Sequence, residues 1–257
     1  ESIMKSIGSG ELTLNKGQIL FVPIANPKAF DENKRYIESN LNRIVIPKSI
    51  PENYEEHLAQ ELIPLIDDCD YLLDMHAYED PDPNAPPFIF QDYPEPLATT
   101  FTRALGIRDI FTGWPEMYEA VPNFTEEGTN SYAWSNGKIA LTVECGEKRS
   151  QIATDNACSV IYNALSQLEL IRENHIADSK DPRFIHMQEV FFKEHQGHLK
   201  RNWQHLDAVE TGTVLAEYDN GKQIISNRDG HIVMPTSSAN IGDEWFYLGQ
   251  ITSSGPA

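Results

Sequence analysis

Apolar runs alternate with helix-period stretches along the first two thirds of the chain. Residues 18–23 (Gln-Ile-Leu-Phe-Val-Pro) form a short apolar run before the Asn26-Pro27 turn signal, which predicts a strand. Leu58, Leu62, Leu65 and Ile66 recur at helical spacing within residues 51–67, and Pro64 is expected to kink that helix. Residues 70–75 predict a buried-type strand with His76 at its carboxyl end. Residues 96–105 predict a helix, and residues 138–143 a further apolar strand ending at Glu144. The clearest helical pattern covers residues 154–173. Thr154 or Asp155 caps it, and Ala157, Val160, Ile161, Ala164, Leu165 and Leu168 make its buried stripe. This alternation implies an α/β fold, a mixed, largely parallel sheet flanked by helices.

Between His76 and Pro96 the prolines at 81, 83, 86, 87, 94 and 96 predict a long structureless loop. Its Phe88, Phe90 and Tyr93 supply an apolar side fit to wall a pocket; a surface excursion without a role is the equal alternative. After about residue 173 the pattern changes. Residues 174–183 are polar and include Pro182, as a linker would. Residues 212–218, 222–226 and 231–235 are short strand-like runs separated by Asp219-Asn220-Gly221 and Asp229-Gly230 turns. The expected organisation is a larger domain over residues 1–173 and a small C-terminal antiparallel β domain over 184–257. Residues 2–7 resemble the tail of an amphipathic helix, so that first element is expected to begin upstream of Glu1.

Forty per cent hydrophobic residues in 257 is ample for a packed core. A formal charge of −19 argues against nucleic-acid backbones and anionic membranes as partners. An anionic substrate would therefore need a local basic pocket. Cys69, Cys145 and Cys158 form no Cys-x-x-Cys pair, which suits unpaired thiols in the cytoplasm.

Three fragments carry chemistry-bearing side chains, two of them at the ends of apolar runs. In Asp74-Met75-His76 the outer residues share a strand face, so Asp74 is placed to orient a histidine that can ligate a metal. Glu144 interrupts an apolar strand. Burial there raises a carboxylate pKa toward the range useful for proton transfer, and an ion pair with Lys148 or Arg149 is the plainer alternative. Arg35 and Asn42-Arg43 supply guanidinium forks and an amide, donors suited to a carboxylate. His195 and His198 lie in a polar stretch and are expected to be solvated.

Asn26-Pro27, Lys34-Arg35-Tyr36, Leu41-Asn42-Arg43, Leu73-Asp74-Met75-His76 and Leu141-Thr142-Val143-Glu144-Cys145-Gly146, in this order, resemble the succinylglutamate desuccinylase/aspartoacylase family. That family falls within the zinc carboxypeptidase-like group. The resemblance spans most of the chain and implies a zinc hydrolase catalytic domain followed by the family's β domain. It implies one Zn2+ per chain with His76 as a ligand, and Glu144 as general acid/base. It assigns Arg35 to the scissile carbonyl and Asn42 and Arg43 to the substrate carboxylate. Zinc would lower the pKa of bound water from 15.7 toward about 7. The implied activity is removal of an acyl group from a small anionic N-acyl amino acid or related amide; homo-oligomerisation is left open.

The chain departs from the family at three points. No Gly-x-His-Gly-x-Glu stretch, the source of the other two ligands, is present. Glu1 is a candidate for its last residue, but residues 1–26 are about two helical turns too short for that role. Asn40 stands where the family often has aspartate, and Trp134 where some members place an arginine. Two alternatives follow: a zinc carboxypeptidase acting on peptides, and a metal-free carboxylate-binding protein of the same fold.

Overall fold

The structure, a computed structural model, describes residues 2–91, 96–119, 121, 127–172 and 181–252. Its helices are α1 (Ser2–Ser9), α2 (Pro27–Asp31), α3 (Tyr54–Asp67), α4 (Pro96–Ala104), α5 (Trp114–Glu119), α6 (Thr129–Ser135) and α7 (Gln151–Gln167). The first strands are β1 (Tyr71–Tyr78), β2 (Phe88–Phe90), β3 (Asp109–Thr112), β4 (Ile139–Glu147) and β5 (Arg183–Phe192). They are followed by β6 (Gly197–Leu199), β7 (Ala208–Val209), β8 (Val214–Tyr218), β9 (Gln223–Ile225), β10 (Gly230–Val233) and β11 (Glu244–Thr252).

Eight strands form one mixed sheet in the order β1-β4-β2-β3-β5-β11-β10-β7. β1 with β4, β2 with β3, and β3 with β5 pair in parallel, while β2 joins β4 antiparallel. From β5 onward the pairings are antiparallel, and β6-β8-β9 form a separate small antiparallel sheet. The predicted α/β class with an antiparallel β unit is therefore observed. The large sheet continues through β5 into strands that follow residue 180.

Local chemistry explains where the helices begin. Asn53 accepts a hydrogen bond from the Glu56 N–H at 2.9 Å and starts α3. Asn26 does the same for α2 at Ala29, with Pro27 at the first helical position. α7 begins earlier than its apolar stripe suggests, because Ser150 caps Ile152 at 3.1 Å, and it ends at Gln167. Its stripe divides. Val160 and Ala164 pack toward the sheet with Ile89, Leu141 and Val143, while Ile161 and Leu165 pack toward Ile3 of α1.

Several sequence expectations need correction. Residues 18–23 form no strand, since among the described residues no neighbouring strand pairs with them. Ile19 and Phe21 turn into the α1–α7 cluster and Leu20 is 63% exposed. The proline-rich segment is not structureless, because Phe88–Phe90 form the fully buried β2 in the middle of the large sheet. Two more phenylalanine rings would be costly to leave in water; burying each contributes on the order of 1.5–3 kcal/mol. Tyr93 and most of the expected linker lie outside the described residues, as does Glu1. β1 extends two residues beyond His76 and is half-exposed rather than buried, having a partner strand on one side only among the described residues.

Candidate active site

The parallel register of β1 and β4 sets Asp74 opposite Thr142 and His76 opposite Glu144. Residues in register on neighbouring strands share a face, so these four side chains project together. The same face continues across β2, where Phe88 lies opposite Glu144 and Phe90 opposite Thr142. Over it opens a cavity of about 1010 Å³, lined among others by Arg35, Asn42, Arg43, His76 and Glu144. Arg35 and Glu144, 109 positions apart in sequence, thus meet on one cavity. Its volume is at the upper end of ordinary small-molecule sites.

His76 Nε2 lies 3.0 Å from Asp74 Oδ2, which also accepts a hydrogen bond from the Thr129 hydroxyl. The Asp74 charge and hydrogen bond outweigh the effect of burial and push His76 up to about 9. Burial pushes the Asp74 carboxyl up, but His76 and Thr129 more than reverse this and hold it below the usual carboxylate range.

Glu144 is 8% exposed, and its Oε2 has no hydrogen-bond partner among the described residues. Burial pushes its carboxyl up, and Asp74 adds to the shift, while His76 and Arg35 oppose it. The plainer ion-pair alternative does not hold. Lys148 lies 3.1 Å from Glu79, and Arg149 lies 3.0 Å from Glu147.

At the other end of the cavity, residues 41–43 form a 3-10 turn whose Asn42 N–H is capped by Asn40 Oδ1 at 3.2 Å. Asn40 thus shapes the backbone here, and Arg43 is held by a different group. Its guanidinium donates to Glu244 Oε1 at 2.6 Å and to the Asn42 carbonyl at 2.8 Å. Burial works against the Arg43 charge, but Glu244 outweighs it and raises the pKa. The Tyr118 hydroxyl reaches both Glu244 (3.3 Å) and the Tyr247 hydroxyl (3.1 Å). Gly128, just before α6, lets Asn42 approach closely, since a Cβ there would sit 2.3 Å from Asn42 Oδ1.

Glu244 and Tyr247 escape the sequence reading because β11 does. Its signal is the apolar run Trp245-Phe246-Tyr247-Leu248, interrupted by no turn residue. Trp114 and Tyr118, on the short helix α5, carry no recognisable spacing.

The sequence model of the succinylglutamate desuccinylase/aspartoacylase catalytic domain matches residues 2–167. The chain belongs to the succinylglutamate desuccinylase/aspartoacylase family. This is a family of hydrolases. Succinylglutamate desuccinylase from Vibrio parahaemolyticus has a similar fold, with a TM-score of 0.72 at 18% identity over 98% of this chain and 76% of that one. The succinylglutamate desuccinylase/aspartoacylase of Rhodobacter sphaeroides gives 0.71 at 15% identity over 91% and 75%. The product-bound ectoine utilization protein EutE (DoeB) of Ruegeria pomeroyi gives 0.71 at 18% over 94% and 76%. No curated protein matches the chain.

A desuccinylase/aspartoacylase-type site raises the question of zinc, which needs three protein ligands when catalytic. Among the described residues no group of three His, Cys, Asp or Glu side chains is arranged to hold a metal ion. His76 Nε2 faces the Asp74 carboxylate, 3.0 Å away. The described residues therefore do not by themselves form a zinc site. Among them, no helix is long and apolar enough to cross a membrane.

Proposed function

We propose that this hydrolase removes the acyl group from an N-acyl amino acid or related small amide. The observation that carries the reading is the buried Glu144, its Oε2 without a partner among the described residues, on the cavity shared by Arg35, Asn42 and Arg43. A carboxyl whose pKa is raised by burial is suited to take a proton from attacking water and pass it to the leaving nitrogen. Arg35 lies close enough to Glu144 to influence its charge, and would stabilise the negative charge that develops on the scissile carbonyl oxygen. Asn42 and Arg43 would take the substrate carboxylate.

Zinc is part of the same proposal. His76 would contribute one ligand, with the others supplied from outside the described residues. The setting is expected to be cytoplasmic. A panel of N-acyl amino acids assayed beside C-terminally varied peptides, with metal analysis of the same preparation, tests the reading. Cleavage of the acyl amino acids with about one equivalent of zinc is expected. Cleavage of peptides alone would overturn the deacylase, and an active metal-free preparation would remove zinc from it.

A further inference from the structure

We propose that the amino-acid side chain of the substrate is apolar and of aromatic size, seated against Phe90, Trp114 and Tyr247, and is not a second carboxylate. This rests on the deacylase reading above and names the substrate class of that site.

Aromatic rings form the wall between the two polar ends of the cavity. Phe90 adjoins Thr142 through strand pairing and lies 4.4 Å from Trp114, ring centre to ring centre. Trp114 lies 5.0 Å from Tyr247, whose hydroxyl meets Tyr118 beside Arg43. A substrate with its carboxylate at Asn42-Arg43 and its amide at Glu144 therefore carries its side chain past these rings, each of which lines the cavity. Flat apolar groups match such a wall through area burial and ring–ring contact.

The charges of the cavity point the same way. Arg43 is paired with Glu244, Lys148 with Glu79, Arg149 with Glu147 and Lys34 with Glu32. Among the described lysines and arginines of the lining, only Arg35 has neither a hydrogen bond nor an ion pair. In the reading above, Arg35 is committed to the scissile carbonyl. A second substrate carboxylate would have to compete with Glu79 or Glu147 for a cation, in a cavity that already holds Glu144 and Glu244. That competition leaves the loss of its water only partly offset.

The test is titration calorimetry of the protein with the N-acetyl derivatives of glycine, phenylalanine, leucine, aspartate and glutamate, alongside their hydrolysis. N-acetylphenylalanine should bind at least about ten-fold tighter than the aspartate and glutamate derivatives. Trp114→Leu should remove most of that preference, weakening N-acetylphenylalanine far more than N-acetylglycine, which has no side chain to seat. Equal or tighter binding of the acidic derivatives overturns the assignment, with the deacylase reading intact if they are hydrolysed. Binding of none of the five overturns both. The wild-type ranking decides the matter even where the variant fails to fold.

Discussion

Glu144 and Asp109 stand in one row of one sheet face, each in register with Phe88 between them. Both are buried, at 8% and 3% exposure. Their surroundings differ in one respect. Asp109 receives a two-pronged grip from Arg183, at 2.7 and 2.6 Å, whereas Glu144 Oε2 receives nothing from the described residues. A satisfied buried carboxylate holds strands together, and an unsatisfied one is the candidate for proton transfer. Burial is common to both, so the partner is what marks Asp109 as structural and leaves Glu144 for the role proposed above.

The largest expected effect comes from removing Glu144, the proposed general acid/base. Glu144→Gln should cut turnover of an N-acyl amino acid by about 10²–10⁴ while leaving the unfolding midpoint nearly unchanged. Turnover within two-fold of wild type would take Glu144 out of the chemistry. Asp109→Asn should behave in the opposite way. It leaves Arg183 without its fork partner and should cost about 2–3 kcal/mol of stability, less than for a fully buried pair because Arg183 recovers some water. Folded protein should keep its kcat. Chemical denaturation of both variants beside turnover checks this, and a stable Asp109→Asn with lost activity would erase the distinction between the two acids.

This contrast also marks how far the residues can be read without coordinates. His76 and Glu144 were legible because each ends or interrupts an apolar run, and strand alternation fixes their common face. The hold on Arg43 was not. Glu244 lies 201 residues away, and its pairing depends on β11 lying next to β5 in the sheet, which no local pattern reveals. β2 was hidden for another reason. Three residues among prolines make too short a run to signal a strand, and only burial on both faces stabilises it. Trp114 and Phe90 show why an aromatic wall escapes prediction, since it is assembled from a helix and a strand with unrelated spacings.

The ring that separates the two acids supplies the most local test. His205 stacks on Phe88 at 4.7 Å with planes 7° apart, and Tyr78 and Phe111 flank it. Its Nδ1 accepts the Met234 N–H, its backbone N–H bonds the Asp80 carboxylate, and its Nε2 has no partner among the described residues. Burial, with a smaller contribution from the Arg183 charge, lowers its pKa from about 6.5 to about 3. Between those values the unfolded chain binds a proton that the folded chain refuses. This stabilisation is complete above about pH 6.5 and is lost as the pH falls toward 3, by about 1.4 kcal/mol per unit. Asp80, held up by burial, works in the opposite direction, so the comparison must be made between variants rather than in one protein. The stability difference between wild type and His205→Phe, followed by urea unfolding from pH 7.5 to 4.5, should shift toward the variant at that slope below pH 6.5. A difference that stays flat would mean that water or a charge reaches His205, and that the face between Glu144 and Asp109 is not the dry barrier separating them.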